Sequence, residues 1–117
     1  MEDFAKNFNK FYSIPKKTHT ELEENKPYRI LEAEIKTFKN KNSHENINLE
    51  AVLLTLKDIS KNEQNFNLFI GGKYVPVFTD QVRMAINSGE ANINLIYKGV
   101  KVDGLYKIPQ FLVNLDN

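Results

Sequence analysis

Two long stretches of this chain alternate apolar and polar residues with period two, and that pattern constrains the fold more than any other feature. Leu31, Ala33, Ile35 and Thr37 alternate with Glu32, Glu34 and Lys36, and further on Val52, Leu54 and Leu56 alternate with Leu53, Thr55 and Lys57. Successive side chains of a strand point to opposite faces, so such runs predict strands, the first with one wet face. The expected strands are 28–38 and 47–58, joined into a long hairpin by a polar connection, 39–46, that holds Lys39, Lys41, Ser43 and His44.

The remaining pattern supplies smaller elements. Phe66 to Ile70 predicts a third, short strand that ends at Gly71-Gly72 and places Phe66 and Phe69 on opposite faces. Pro76 demotes the apolar run from Tyr74 to Phe78 to an edge or a connection. Thr79-Asp80 offers an N-cap, Val82, Ala85 and Ile86 have helical spacing, and Asn87-Ser88-Gly89 is a stop, which together predict one short helix. Ala91 to Tyr97 alternates again, with Tyr97 reading as core beside Ile93 and Leu95. Lys98 to Gly104 is expected to turn the chain back, and Leu105, Lys107 and Phe111 to Leu115 make a last strand interrupted by Pro109.

The order β-β-β-α-β-β makes the expected fold all-β with one short helix, a five-stranded OB-fold-like Greek-key barrel. At 117 residues the chain has room for one such core. The expected division is an N-terminal arm, 1–27, followed by the OB-fold-like domain, 28–117. In the arm, Phe4, Phe8, Phe11 and Tyr12 share one helical face that Pro15 terminates. That face either covers an open end of its own barrel, makes a homo-oligomer, or binds a separate partner.

Several chemistries are excluded. No cysteine means no disulfide framework, thiol nucleophile or thiolate metal site. His19 and His44 stand far apart in polar stretches without a metal-ligand spacing, and both read as surface residues. Ser13, Ser43, Ser60 and Ser88 lack a nucleophile elbow, the carboxylates are scattered, and Gly71-Gly72-Lys73 lacks the spacing of a phosphate loop. The chain is therefore expected to be no enzyme and to carry no metal or cofactor. Without a membrane-length apolar run or a secretory leader pattern, it is expected to be intracellular, with no membrane partner.

Sixteen basic residues against 15 acidic ones give a net charge of +1, so only the distribution of charge can point to a polyanion. Single-strand binding needs cations along a backbone path and aromatics on which bases stack. The chain interleaves the two types, and the candidate nucleic-acid-binding residues are Lys36, Phe38, Lys39, Lys41, Lys57, Phe69, Lys73, Tyr74, Lys98 and Lys101. Tyr74 is the foremost exposed-aromatic candidate. Glu32 and Glu34 would oppose a polyanion if they shared the lysines' face.

Pro27-Tyr28-Arg29-Ile30-Leu31-Glu32-Ala33, Leu54-Thr55-Leu56-Lys57-Asp58, Phe78-Thr79-Asp80, Ile86-Asn87-Ser88-Gly89 and Asn94-Leu95-Ile96-Tyr97-Lys98-Gly99 occur here in one order. With them the chain resembles a small OB-fold family of arthropod DNA viruses and animal mobile elements. The resemblance implies an OB-fold and single-stranded DNA binding. It departs from the family's pattern at Ile70-Gly71-Gly72-Lys73-Tyr74 and in a longer first loop without glycine. Two functions stand as expectations. One is sequence-tolerant binding of single-stranded DNA, RNA being open too, in viral or mobile-element replication or recombination in the nucleus or cytoplasm of a host cell. The other is an OB-fold protein-interaction module without nucleic acid.

Overall fold

In a computed structural model, which describes residues 14–39, 48–61 and 64–115, the alternating runs become strands of one antiparallel sheet. They are β1 (Pro27–Lys39), β2 (Asn48–Asp58), β3 (Phe66–Ile70), β4 (Ile93–Asp103) and β5 (Tyr106–Leu115). A 3₁₀ turn, Gly72–Val77, and helix α1, Asp80–Asn87, lie between β3 and β4. The strand order is β3-β2-β1-β4-β5.

Period two sorts the side chains as expected on β2 and β3. Val52, Leu54 and Leu56 face inward opposite Ile70, Leu68 and Phe66, and all six are buried. Each such burial is worth about 1.5–3 kcal/mol. Tyr28, Ile30 and Ala33 of β1, Leu95 and Tyr97 of β4, Ile86 of α1, Leu22 and Phe78 join them in this core. On β1 the simple alternation fails at one residue. Ile30 pairs with Leu56 and Glu32 with Thr55, so Leu31 is the extra residue of a bulge, and Tyr28, Ile30 and Ala33 all point inward across it.

The bulge lies where β1 changes neighbours. Pro27, Tyr28 and Arg29 pair with β4, and the strand beyond the bulge has only β2 beside it. Asn87, the last residue of α1, takes over there. The Ala33 N–H donates to Asn87 Oδ1 at 2.8 Å, and Asn87 Nδ2 donates to the Ala33 carbonyl at 3.1 Å. The helix thus satisfies the backbone groups that a strand would otherwise have to meet. Thr79 caps its start, accepting from the Val82 N–H at 3.3 Å, and Gly89 follows its end at φ +81°, a conformation that suits glycine.

The expected closure into a barrel is not formed: β3 and β5 are the two edges of an open sheet. Each edge is met at one residue by a group from outside the sheet. The Asn67 N–H of β3 donates to the Pro15 carbonyl at 2.8 Å, and its carbonyl accepts from the Lys17 N–H at 2.9 Å. On β5, Pro109 has no N–H and the Phe111 N–H donates to the Tyr74 hydroxyl at 3.2 Å. Further differences concern β4 and β5. Lys98 to Asp103 stays in the strand; Gly99, at φ +91°, sits in a bulge, and β4 runs on to Asp103. The turn comes at Gly104-Leu105, with Gly104 at φ +61°, and Pro109 lies within β5 because an edge tolerates its missing donor.

The described part of the arm, residues 14–26, is laid onto the sheet. Leu22 is buried in the core, and Asn25 donates its N–H to the Tyr97 carbonyl at 2.9 Å. Lys26 Nζ meets Asp58 Oδ2 at 2.6 Å, and Asp58 Oδ1 accepts from the Ser60 N–H and hydroxyl. Burial would raise the Asp58 pKa, but the hydrogen bonds from Lys26 and Ser60 outweigh it and hold the carboxyl at about 2. Lys26 is pushed up in turn, chiefly by its hydrogen bond to Asp58. Phe4, Phe8, Phe11 and Tyr12 lie outside the described residues.

Candidate nucleic-acid interface

The outer face of β1, β2 and β3 collects the residues that the inward alternation leaves over. Directly opposed residues share a face, so Glu34, Leu53 and Phe69 form one row, Glu32, Thr55 and Asn67 the next, and Phe38 with Leu49 a row toward the hairpin tip. In a flat sheet the Phe38 and Phe69 Cα atoms would stand roughly 16 Å apart. The coil of the hairpin and the reach of the two side chains bring the ring centroids to 5.7 Å, edge to face. Both rings remain open to solvent, 46% and 40% exposed.

Cations border the pair. Lys36 shares its face, and Lys16, held opposite Asn67 by the arm, carries its Nζ 5.9 Å from the Phe69 centroid. From Phe69 a cleft of about 160 Å³ leads past His19, the Gly71-Gly72-Lys73 backbone and Tyr74 to Ile108 and Pro109 of β5. Gly72 is required there, because a Cβ would come within 2.9 Å of the Glu50 carbonyl. The lysines do not act alone. Glu32 and Glu34 are on the same face, and Glu34 pairs with Lys36 at 3.4 Å, an exposed ion pair of small worth.

Of the residues singled out in the sequence, the structure gathers Lys36, Phe38, Phe69, Lys73 and Tyr74 along this path. Tyr74 is turned into the fold: it is half-buried, its ring stands edge-on to Phe111, its hydroxyl is engaged, and Lys73 Nζ lies 5.0 Å over its ring. It floors the cleft instead of presenting a free face. Lys57 is opposite Arg29, about 13 Å along β2 from Leu53, and Lys98 donates to Asn25 Oδ1. Lys101 is exposed on the projecting half of the β4–β5 hairpin, opposite Ile108. Lys41 lies outside the described residues; Lys39 ends β1, and only its backbone is described. Tyr97 is core, packed against Phe111.

Sequence reading missed Lys16 and His19 at this site. Lys16-Lys17 after Pro15 was a usable signal, but nothing local says that the segment lies along β3. Among the described residues no group of histidines and carboxylates could hold a metal ion, and no helix is long and apolar enough to cross a membrane. Comparison with family models, with curated proteins and with solved structures finds no match.

Proposed function

We propose that this chain binds single-stranded DNA, with little regard to sequence, along the outer face of β1–β3 and into the cleft beside β3. The observation that carries the reading is the Phe38–Phe69 pair: two exposed rings from separate strands, next to lysines, on a sheet whose apolar needs are met on its other face. An edge-to-face pair uses only one ring face, which leaves others for bases. The strand order is that of a five-stranded Greek-key barrel cut between β3 and β5, which supports an OB-like reading, as the handedness-free order alone allows. The resemblance seen in the sequence would put this binding in viral or mobile-element replication or recombination.

Glu32 and Glu34 make stacking, not charge, the larger contribution. Titration of fluorescent dT and rU oligomers, and of duplex of equal length, at two salt concentrations tests the reading. Single strands should bind more tightly than duplex, with a shallow salt dependence of about 0.7 per neutralised phosphate. Phe38→Ala and Phe69→Ala should each cost about 1–3 kcal/mol of binding, less than additively because the rings touch, with unchanged thermal melts. No binding at low salt, or variants that bind like the parent, overturns it and favours the protein-interaction reading.

A further inference from the structure

We infer that the free edge of β5 is a self-association surface that takes the same strand of a second copy of this chain, antiparallel, over Leu112 to Leu115. The Phe111 N–H points away from β4, toward Tyr74, so Val113 and Leu115, at the same parity, also direct their backbone groups outward. Pro109 and the occupied Phe111 N–H close the edge on one side, which confines pairing to the residues after Phe111. Here Leu112, Val113 and Leu115 are 54%, 58% and 71% exposed, and Val77 stands exposed nearby. Leu112, Val113 and Val77 also border an apolar cavity of about 590 Å³ that reaches in to Ile70, Phe78 and Leu95.

Charge selects the occupant. Ile108 to Leu115 holds no charged residue in eight, where the chain's 26% would give about two, and charged side chains are the usual guard on an edge strand. A strand that meets its own copy puts each side chain beside an identical set, so any net charge would repel; an uncharged run removes that cost. Antiparallel pairing of one strand with itself also closes about a two-fold axis and uses up the β5 edge of both copies. Leu112, Val113, Leu115 and Val77 each leave more than half of the residue exposed, an apolar surface that a second copy would cover.

Sedimentation of the full chain over a wide concentration range should show a reversible monomer–dimer equilibrium. Val113→Lys brings two lysines onto direct or diagonal positions of the new pair and should weaken dimerisation at least about tenfold. Mixing Val113→Lys with Val113→Glu should restore a heterodimer, which neither a docked arm nor an unrelated partner would produce. Should Val113→Lys fail a thermal melt, Leu115→Lys and Leu115→Glu, nearer the strand's end, serve in its place. A monomer at every concentration, a dimer indifferent to these charges, or no restoration on mixing overturns the inference.

Discussion

The sheet has two edges, and the chain treats them in opposite ways. β3 is short, and residues just before the core lie against it: Pro15 and Lys17 bond the Asn67 backbone, and Lys16 and Lys17 reach over Phe69 and Phe66. β5 is twice as long, uncharged over Ile108 to Leu115, and beyond Phe111 its outward backbone groups have no partner among the described residues, while Leu112, Val113 and Leu115 are exposed. Where the edge is covered, at Asn67, its donor and acceptor are spent and a further strand cannot pair there. An uncovered, uncharged edge invites another strand. The two proposals thus fall at different edges, single strands beside β3 and a second copy at β5.

The largest way to break this comparison is to lift the cover from β3. Leu22→Ala empties a buried site in the segment that holds Pro15–Lys17 in place, and chemical denaturation should record a loss of about 2–5 kcal/mol. A loss near zero would mean that the cover merely drapes over the sheet.

The end of that cover is pinned at Asp58, and acid tests the pin. A carboxyl held at about 2 in the folded chain, below its ordinary value near 3.9, stabilises fully above the ordinary value and loses that contribution as pH falls from about 4 toward 2. Asp58→Asn should cost about 2 kcal/mol at neutral pH and flatten the stability profile over that acid window. An unchanged profile would show that the Lys26–Asp58 contact does not hold the cover.

The smallest expected effect sharpens the contrast at β5. Tyr74→Phe removes the acceptor of the Phe111 N–H while keeping the ring against Phe111, and should cost about 1 kcal/mol. Amide exchange at Phe111 should quicken while that of the Asn67 amide, under its cover, stays as it was. Equal change at both would mean that the edges are not independently guarded.

Much of the fold was legible because the period-two signal is local. The bounds of β3, Phe66 to Ile70, the cap offered by Thr79-Asp80, which the structure gives to Thr79, and the opposite faces of Phe66 and Phe69 all follow from local pattern and agree with the structure. The misreadings also have local causes. Leu31 keeps the alternation going in sequence while the backbone spends it on a bulge, and Gly99 has the composition of a turn but serves a bulge in a continuing strand. Within the site, Phe38, Phe69 and Lys36 were visible as residue types. Their meeting was not, because ring distance across three strands depends on coil.

By itself, then, the sequence determined which faces of β2 and β3 go inward and where the helix begins and stops. Those follow from side-chain polarity, capping groups and residue types, which act over a few positions. Only the tertiary structure decided that the sheet stays open, that Tyr74 is spent on Phe111, that Lys16 comes to Phe69, and that the arm lies along β3. Each of these depends on where backbone donors and acceptors far apart in the chain find their partners, and no local pattern carries that information.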